Sequence, residues 1–314
     1  MNYRDNNNDN YNLKNLTKCK ELIKLNKLEF LNKGMEGEIF KVYSKYCGSV
    51  VVKKKKFKKK YGESLLREKL KKEYTIMKMT NELINNFVCP NFIKVFDYNE
   101  DIPLIIMEYA NADSKFLFSE PKYISTEIYK SFLFQILSSI YFLNNKLKLF
   151  HRDLRVPNIL YKKINPKTIF HYKINNINYY VPTFGYLFML TDFGQTDKNE
   201  YNDINYLSFS IFINYVNVLY PLYKEKIQLT QREEKIFDLI IEKKEFFYKD
   251  LFEKYKQLII QKLSKVNEIM NNYIFEIDTI LTSDKNILEI FKTYFLEYSV
   301  NVYDKKNIIN FSSQ

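Results

Sequence analysis

The chain has 314 residues, 46% of them hydrophobic and 17% aromatic, with 49 Lys and Arg against 37 Asp and Glu for a formal net charge of +12. That is ample apolar material for one large core or two smaller ones, and no run of 18 apolar residues offers a membrane span. Three scattered cysteines, Cys19, Cys47 and Cys89, suit neither a disulfide framework nor a metal site and point to a reducing compartment. The positive charge allows an acidic partner. Lys, Asn, Ile and Tyr abound everywhere, however, as an AT-rich genome would produce, so no specific nucleic-acid partner is expected.

The opening "MNYRDNNNDNYN" is polar and Asn-rich, without the apolar stretch of a secretory signal; residues 1–15 read as a disordered tail before a domain over 16–314. From Leu28 short apolar runs alternate with turns. "LEFL" at 28–31, "EIFKVY" at 38–43 and "SVVVK" at 49–53 read as strands, with "CGS" at 47–49 turning between the last two. Residues 63–84 read as a helix with Leu66, Leu70, Glu73 and Met77 on one face. Strand-like runs follow at 91–98 and 103–109, then a weakly structured connector. A helix over 126–143 carries a stripe of Leu133, Ile136, Leu137, Ile140 and Leu143. Strands, a helix, strands, a connector and then mostly helices predict two lobes.

Two of only six glycines, Gly34 and Gly37, sit three apart between the first two strands, where bare backbone amides can approach an anion. Alone that pair is an ordinary hairpin turn. In "SVVVKKKK" the alternation puts Val51 and Lys53 on one strand face and Val52 and Lys54 on the other. An inward lysine needs an anion. Glu73 on the following helix is one candidate and a phosphate another. Lys55 to Lys60 read as a solvated basic loop, with a nuclear-import signal as the weaker reading.

"HRDL" at 151–154, followed by three residues and Asn158, together with "TDFG" at 191–194, resembles the catalytic and metal-binding motifs of eukaryotic-type protein kinases of the Ser/Thr kind. The resemblance covers about Leu28 to the 220s, with its motifs in order. It implies an α+β, two-lobed protein-kinase fold. An antiparallel-sheet lobe with one helix would cover about 26–107, a hinge 108–112 and a mainly helical lobe 113–314. ATP and Mg²⁺ would lie in the cleft.

Carried over residue by residue, the resemblance implies that Asp153 accepts or orients the acceptor hydroxyl, and that Asn158 and Asp192 hold Mg²⁺. Lys53, paired with Glu73, would hold the α- and β-phosphates under Gly34 and Gly37. Adenine would lie between Ile39 and Val51 above and Leu160 below. Met107 would be the gatekeeper, with backbone groups of Glu108 and Ala110 at the hinge. Arg155 keeps a cation where Ser/Thr members usually have Lys, so a Ser/Thr hydroxyl of a protein is the expected acceptor, although Arg and Lys are not equivalent. His151 is expected to pack and hydrogen-bond rather than act as a base.

The departures are specific. Asn32 stands where the loop's first glycine usually is, and Val51 replaces a usual Ala. Between Asn158 and Asp192 lie 33 residues, more than the family usually has, with an expected extra hairpin turning at "NN" 175–176. A similar insertion occurs in haspin-type kinases and in kinases of large DNA viruses; the intact "DFG" favours the viral ones. Only "QTDKNEYN" separates Gly194 from Asp203, where a helix is expected to start, and no "APE" is present. Arg152 is therefore expected to pack and hydrogen-bond locally, with nothing comparable to a phosphorylated loop to grip.

The expected molecule is a monomeric protein kinase in the cytoplasm (the host's, or the virion, if the chain is viral; the nucleus if the basic run acts as an import signal). Its partner would be a protein substrate, with no membrane. Two alternatives are a pseudokinase acting as a binding module and a small-molecule phosphotransferase.

Overall fold

The computed structural model describes residues 28–33, 37–44, 48–55, 63–99, 104–115, 117, 125–242, 249–264, 280–281, 285–300 and 308–311. The expected tail over 1–15, Gly34, the turn residue Cys47 and the basic run from 56 to 60 lie outside the described residues.

Five strands form one antiparallel sheet: β1 (Glu29–Lys33), β2 (Gly37–Ser44), β3 (Gly48–Lys55), β4 (Val95–Asn99) and β5 (Leu104–Glu108), in the order β1-β2-β3-β5-β4. Directly opposed residues share a face, and the register sets Ile39 against Lys53, Val51 against Met107 and Lys53 against Ile105. Val51, Ile105 and Met107 join the main core, while Val50 and Val52 turn the other way, into a small separate cluster with Val42, Leu104 and Ile106. The expected alternation of β3 is therefore present, with both faces covered.

Helix α1 (Glu63–Asn85) packs beneath this sheet with Leu70, Glu73 and Met77 buried and Leu66 partly buried. The strand expected over 91–98 starts only at Val95. Asn91 is diverted into a buried network, its Nδ2 donating to Gln135 Oε1 at 2.9 Å and Phe188 O at 2.8 Å. Tyr172 Oη donates to Asn91 Oδ1 at 2.7 Å. Phe92 makes a single bridge to Leu190.

Below the sheet, β6 (Ala112–Asp113) leads to α2 (Thr126–Leu147), one turn longer than expected. It is closed by Lys148 in the left-handed region, whose N–H donates to Leu143 O. The predicted stripe is buried, but so are Tyr129, Phe132, Phe134 and Phe142. A helix apolar on more than one side must be covered on more than one side, and the insertion supplies the cover. After a short 3-10 turn (Val156–Asn158) and β7 (Ile159–Lys163), strands β8 (Ile169–Ile174) and β9 (Ile177–Pro182) form the expected hairpin. Ile174 and Ile177 close it around Asn175 (φ 47°) and Asn176 (φ 64°), a two-residue turn with both φ positive that asparagine tolerates. The chain then turns through Phe184 and Gly185 (φ 88°) into β10 (Tyr186–Leu190), which joins β7 and β6 in a second sheet.

Three further helices follow: α3 (Asp203–Tyr223), α4 (Gln231–Glu242) and α5 (Lys249–Ser264). Among the described residues the last elements are α6 (Ile287–Tyr294), α7 (Glu297–Val300) and β11 (Ile308–Phe311), which pairs in parallel with β8. Phe134 of α2 is the hub between the hairpin and these last helices. Its ring lies 5.0–5.6 Å from those of Tyr172, Tyr179, Phe291, Phe295 and Tyr298. The architecture is thus a sheet-and-helix lobe over a mainly helical one. The larger lobe has two small sheets of its own.

Candidate active site

The loop from His151 to Asn158 is held from below by one face of α3. Asp203 accepts from the N–H of His151 and of Arg152, both at 2.8 Å. Tyr206 Oη donates to Asp153 Oδ1 at 3.3 Å, and Ser210 Oγ accepts from Val156 N at 2.9 Å. Positions 203, 206 and 210 recur at the i, i+3, i+7 spacing of a single helix face. Asn202 caps that helix, its side chain accepting from Asn205 N at 3.0 Å. Burial pushes the Asp203 carboxyl up, against the two N–H groups that favour its charged form.

Within the loop, Asn158 Nδ2 donates to both the carbonyl and Oδ2 of Asp153 at 2.8 Å, while Arg155 Nε pairs with Asp153 Oδ1 at 3.0 Å. His151 is fully buried. Its Nε2 faces the Thr191 carbonyl at 3.0 Å and must donate there, while Nδ1 accepts from Asp153 N at 3.4 Å. Both ring nitrogens are committed to backbone groups of Thr191 and Asp153, and the ring packs 5.2 Å from that of Phe193, so His151 packs and hydrogen-bonds as expected. Thr191 N donates to Asn158 O at 3.0 Å, which stitches the two motifs together.

Asp192 adopts a left-handed backbone (φ 63°, ψ 66°). Such strain in a non-glycine residue persists only where surroundings impose it, and here it aims a carboxylate at Lys53. Lys53 Nζ lies 2.6 Å from Glu73 Oε1 and 2.7 Å from Asp192 Oδ1. Burial pushes its pKa down, but the two carboxylates outweigh this and hold the ammonium charged, above the ordinary lysine range. Lys53, Glu73 and Asp192 come from β3, α1 and the turn after β10, so this triangle closes the cleft between the lobes.

Ile39 and Leu160 are partly buried against the core, and Val51 and Met107 are buried within it. Glu108 uses its N–H on Lys94 O at 2.9 Å and its side chain on Lys94 N at 2.7 Å. Ala110 follows in coil, partly buried, and Gly37 opens β2.

The segment after Gly194 supplies the local partner expected for Arg152. Asp197 exchanges backbone bonds with Phe150 (2.8 and 3.2 Å), which sets its carboxylate against the Arg152 guanidinium as an ion pair. Arg152 also lies 5.8 Å over the Tyr201 ring. So Arg152 does grip an anion, because the shortened segment delivers Asp197 to it. Asp197, Asp203, Tyr206 and Ser210 were not singled out by motif. The i, i+3, i+7 recurrence of polar groups at the start of an otherwise apolar helix was the available signal.

Oxygen ligands at 158 and 192 suit a hard cation. With its amide nitrogen committed to Asp153, Asn158 has its carbonyl oxygen to offer, and the Asp192 carboxylate is a third exposed. Among the described residues no helix is long and apolar enough to cross a membrane.

Residues 25–216, more than half of the chain, match the family model described as "Protein kinase domain". The chain is 30% identical over 146 residues to "Probable serine/threonine-protein kinase 380R" of Invertebrate iridescent virus 6 (39% of this chain, 26% of that protein). It is also 30% identical over 135 residues to mouse "NUAK family SNF1-like kinase 1" (42% of this chain, 19% of that protein). The matches thus span about a quarter of the viral relative and about a fifth of the mouse one. The family match runs from just before β1 into the middle of α3 and contains every element that meets at Lys53, Asp153 and Asp192; the chain belongs to the protein kinase family.

Proposed function

We propose that the chain transfers the γ-phosphate of ATP, with Mg²⁺, to Ser or Thr hydroxyls of proteins. The observation that carries this is the simultaneous presence of the Glu73–Lys53–Asp192 triangle and of Asp153 held by Asn158. Lys53 engages the α- and β-phosphates, and Ile39, Val51, Met107 and Leu160 flank the base. Gly34 and Gly37 cover the phosphates, while the Glu108 carbonyl and Ala110 meet the adenine edge. Asp153 orients the acceptor hydroxyl. As its oxygen bonds to the γ-phosphorus and the β–γ bridging P–O bond breaks, the hydroxyl proton passes to Asp153 and ADP leaves. Asn158 and Asp192 would hold the metal ion, which when bound would supply positive charge against the phosphates. Arg155, beside Asp153, offers a cation to the moving phosphoryl group, which supports a Ser/Thr acceptor.

The division into a lobe over about 26–107, a hinge at 108–112 and a lobe from 113 is part of this proposal, as is action as a monomer. On this reading the protein works in the cytoplasm, of a host if the chain is viral. The test is labelled ATP with Mg²⁺ against casein and histone, and in parallel against sugars, nucleosides and aminoglycosides. Label on protein serine or threonine, lost in Lys53→Met, supports the reading. Label only on small molecules, or none, overturns it.

A further inference from the structure

We infer that Tyr206 is a positioning residue for phosphoryl transfer, its hydroxyl fixing the Asp153 carboxylate from the first turns of α3. The inference rests on the function proposed above. Two donors and one cation converge on that carboxylate: Asn158 Nδ2 donates to Oδ2 at 2.8 Å, Tyr206 Oη donates to Oδ1 at 3.3 Å, and Arg155 Nε lies 3.0 Å from Oδ1 as an ion pair. A carboxylate held at one oxygen swings about its Cβ–Cγ bond; held at both, its plane is set. The plane decides whether an incoming hydroxyl meets a lone pair in line with the γ-phosphate, and small misplacements at that point are expensive.

Tyr206 is built for the task. It lies between Asp203 and Ser210 on the helix face that carries the catalytic loop, so its backbone position is fixed by the same bonds that fix His151, Arg152 and Val156. Its ring packs edge-on against Tyr201 at 5.9 Å, and a tyrosine has only two side-chain torsions to order. Burial and the neighbouring Asp153 charge push the phenol's pKa up, so it remains a donor throughout the working pH range. Only ten residues separate Asp192 from Asp203, and this shortness keeps the start of α3 close under the site.

The experiment compares wild type with Tyr206→Phe, which keeps the ring and removes the hydroxyl. It measures kcat and KM for ATP and for a protein substrate, ATP affinity by equilibrium titration, and Tm. A loss of one hydrogen bond to a charged group predicts a fall in kcat of about ten- to a hundredfold, with ATP affinity within about twofold and Tm essentially unchanged. Three results overturn the inference. One is an unchanged kcat. Another is a fall in kcat matched by falls in ATP affinity and Tm, which marks packing alone. The third is a rise in kcat, which marks the hydroxyl as an occupant of the acceptor's place. If wild type labels no protein, the function proposed above fails on its own. The same comparison is then read from ATP hydrolysis, where the predicted fall in turnover still supports the role of Tyr206 and its absence still removes it.

Discussion

The stretches on either side of Asp192 differ in length and in how they are held. Before it, the chain expands into the β8–β9 hairpin, whose Phe170, Tyr172, Ile174, Tyr179 and Val181 are all buried. After it, eight residues lead from Gly194 to Asp203. The expansion is core rather than decoration. It covers α2, seats α6 and α7 through Phe134, and reaches through Tyr172 to Asn91, in the connection between α1 and β4. The contraction is a strap fastened at fixed points: Thr196 Oγ1 on His151 O at 3.3 Å, Asp197 on Phe150, and Asp197 on Arg152. A long loop can be ordered when phosphorylation supplies a charge for an arginine. Here an aspartate in the sequence supplies it. Both stretches bear on the site, one through buried packing and the other through its bonds to the catalytic loop.

The largest effect belongs to the junction itself. Asp192→Asn removes a charged metal ligand and one partner of Lys53, and is expected to cut turnover by about a hundredfold or more; normal turnover would show that the junction is not the catalytic centre. Lys53→Met is expected to match it, whereas Lys54→Met, on the opposite strand face, is largely spared. Equal losses would refute the assigned register of β3.

Next comes the expanded side. Phe134→Ala opens a cavity among five aromatic rings and is expected to cost about 3–5 kcal/mol of stability, read from denaturant unfolding. A cost under about 1 kcal/mol would return the hairpin to the status of an appendage. Tyr172→Phe leaves Asn91 Oδ1 without that donor and is expected to cost about 1–3 kcal/mol, with the wild-type ATP affinity retained.

These two regions also mark what could be read in advance. The Asp153–Asn158–Asp192 constellation was legible through the resemblance of "HRDL" and "TDFG" to the family's motifs, and the alternation of β3 put Lys53, not Lys54, on the face that meets Glu73. The hairpin was legible from asparagines able to take positive φ. That it would be buried was not, because the pattern of a strand does not say what covers its second face; the two-sided apolar pattern of α2 held that information. The partner of Arg152 in the strap was not foreseen. Asp197 is an ordinary acidic residue in a polar run, and only its backbone pairing with Phe150, distant in sequence, puts it on Arg152.

A smaller effect is expected on the contracted side. Burial alone would raise the Asp197 carboxyl, but the Asn199 N–H and Arg152 hold it below its usual value of 3.8. A carboxylate lowered in the folded state contributes fully above its unfolded value and is lost only as pH falls through the lowered one. The ratio of wild-type to Asp197→Asn activity is therefore expected to be constant from pH 5 to 8. A ratio that falls toward unity already at pH 6 would mean that the pair is not formed as described.

The preassembled site is tested by treating the recombinant protein with phosphatase, removing the phosphatase, and measuring the initial rate of transfer from Mg²⁺-ATP to a protein substrate. Thr196 is fully buried and already bonded to His151 O, so neither dephosphorylation nor Thr196→Ala is expected to lower the rate appreciably. A rate that collapses after phosphatase and returns only on preincubation with ATP would contradict a site held ready by its own aspartate.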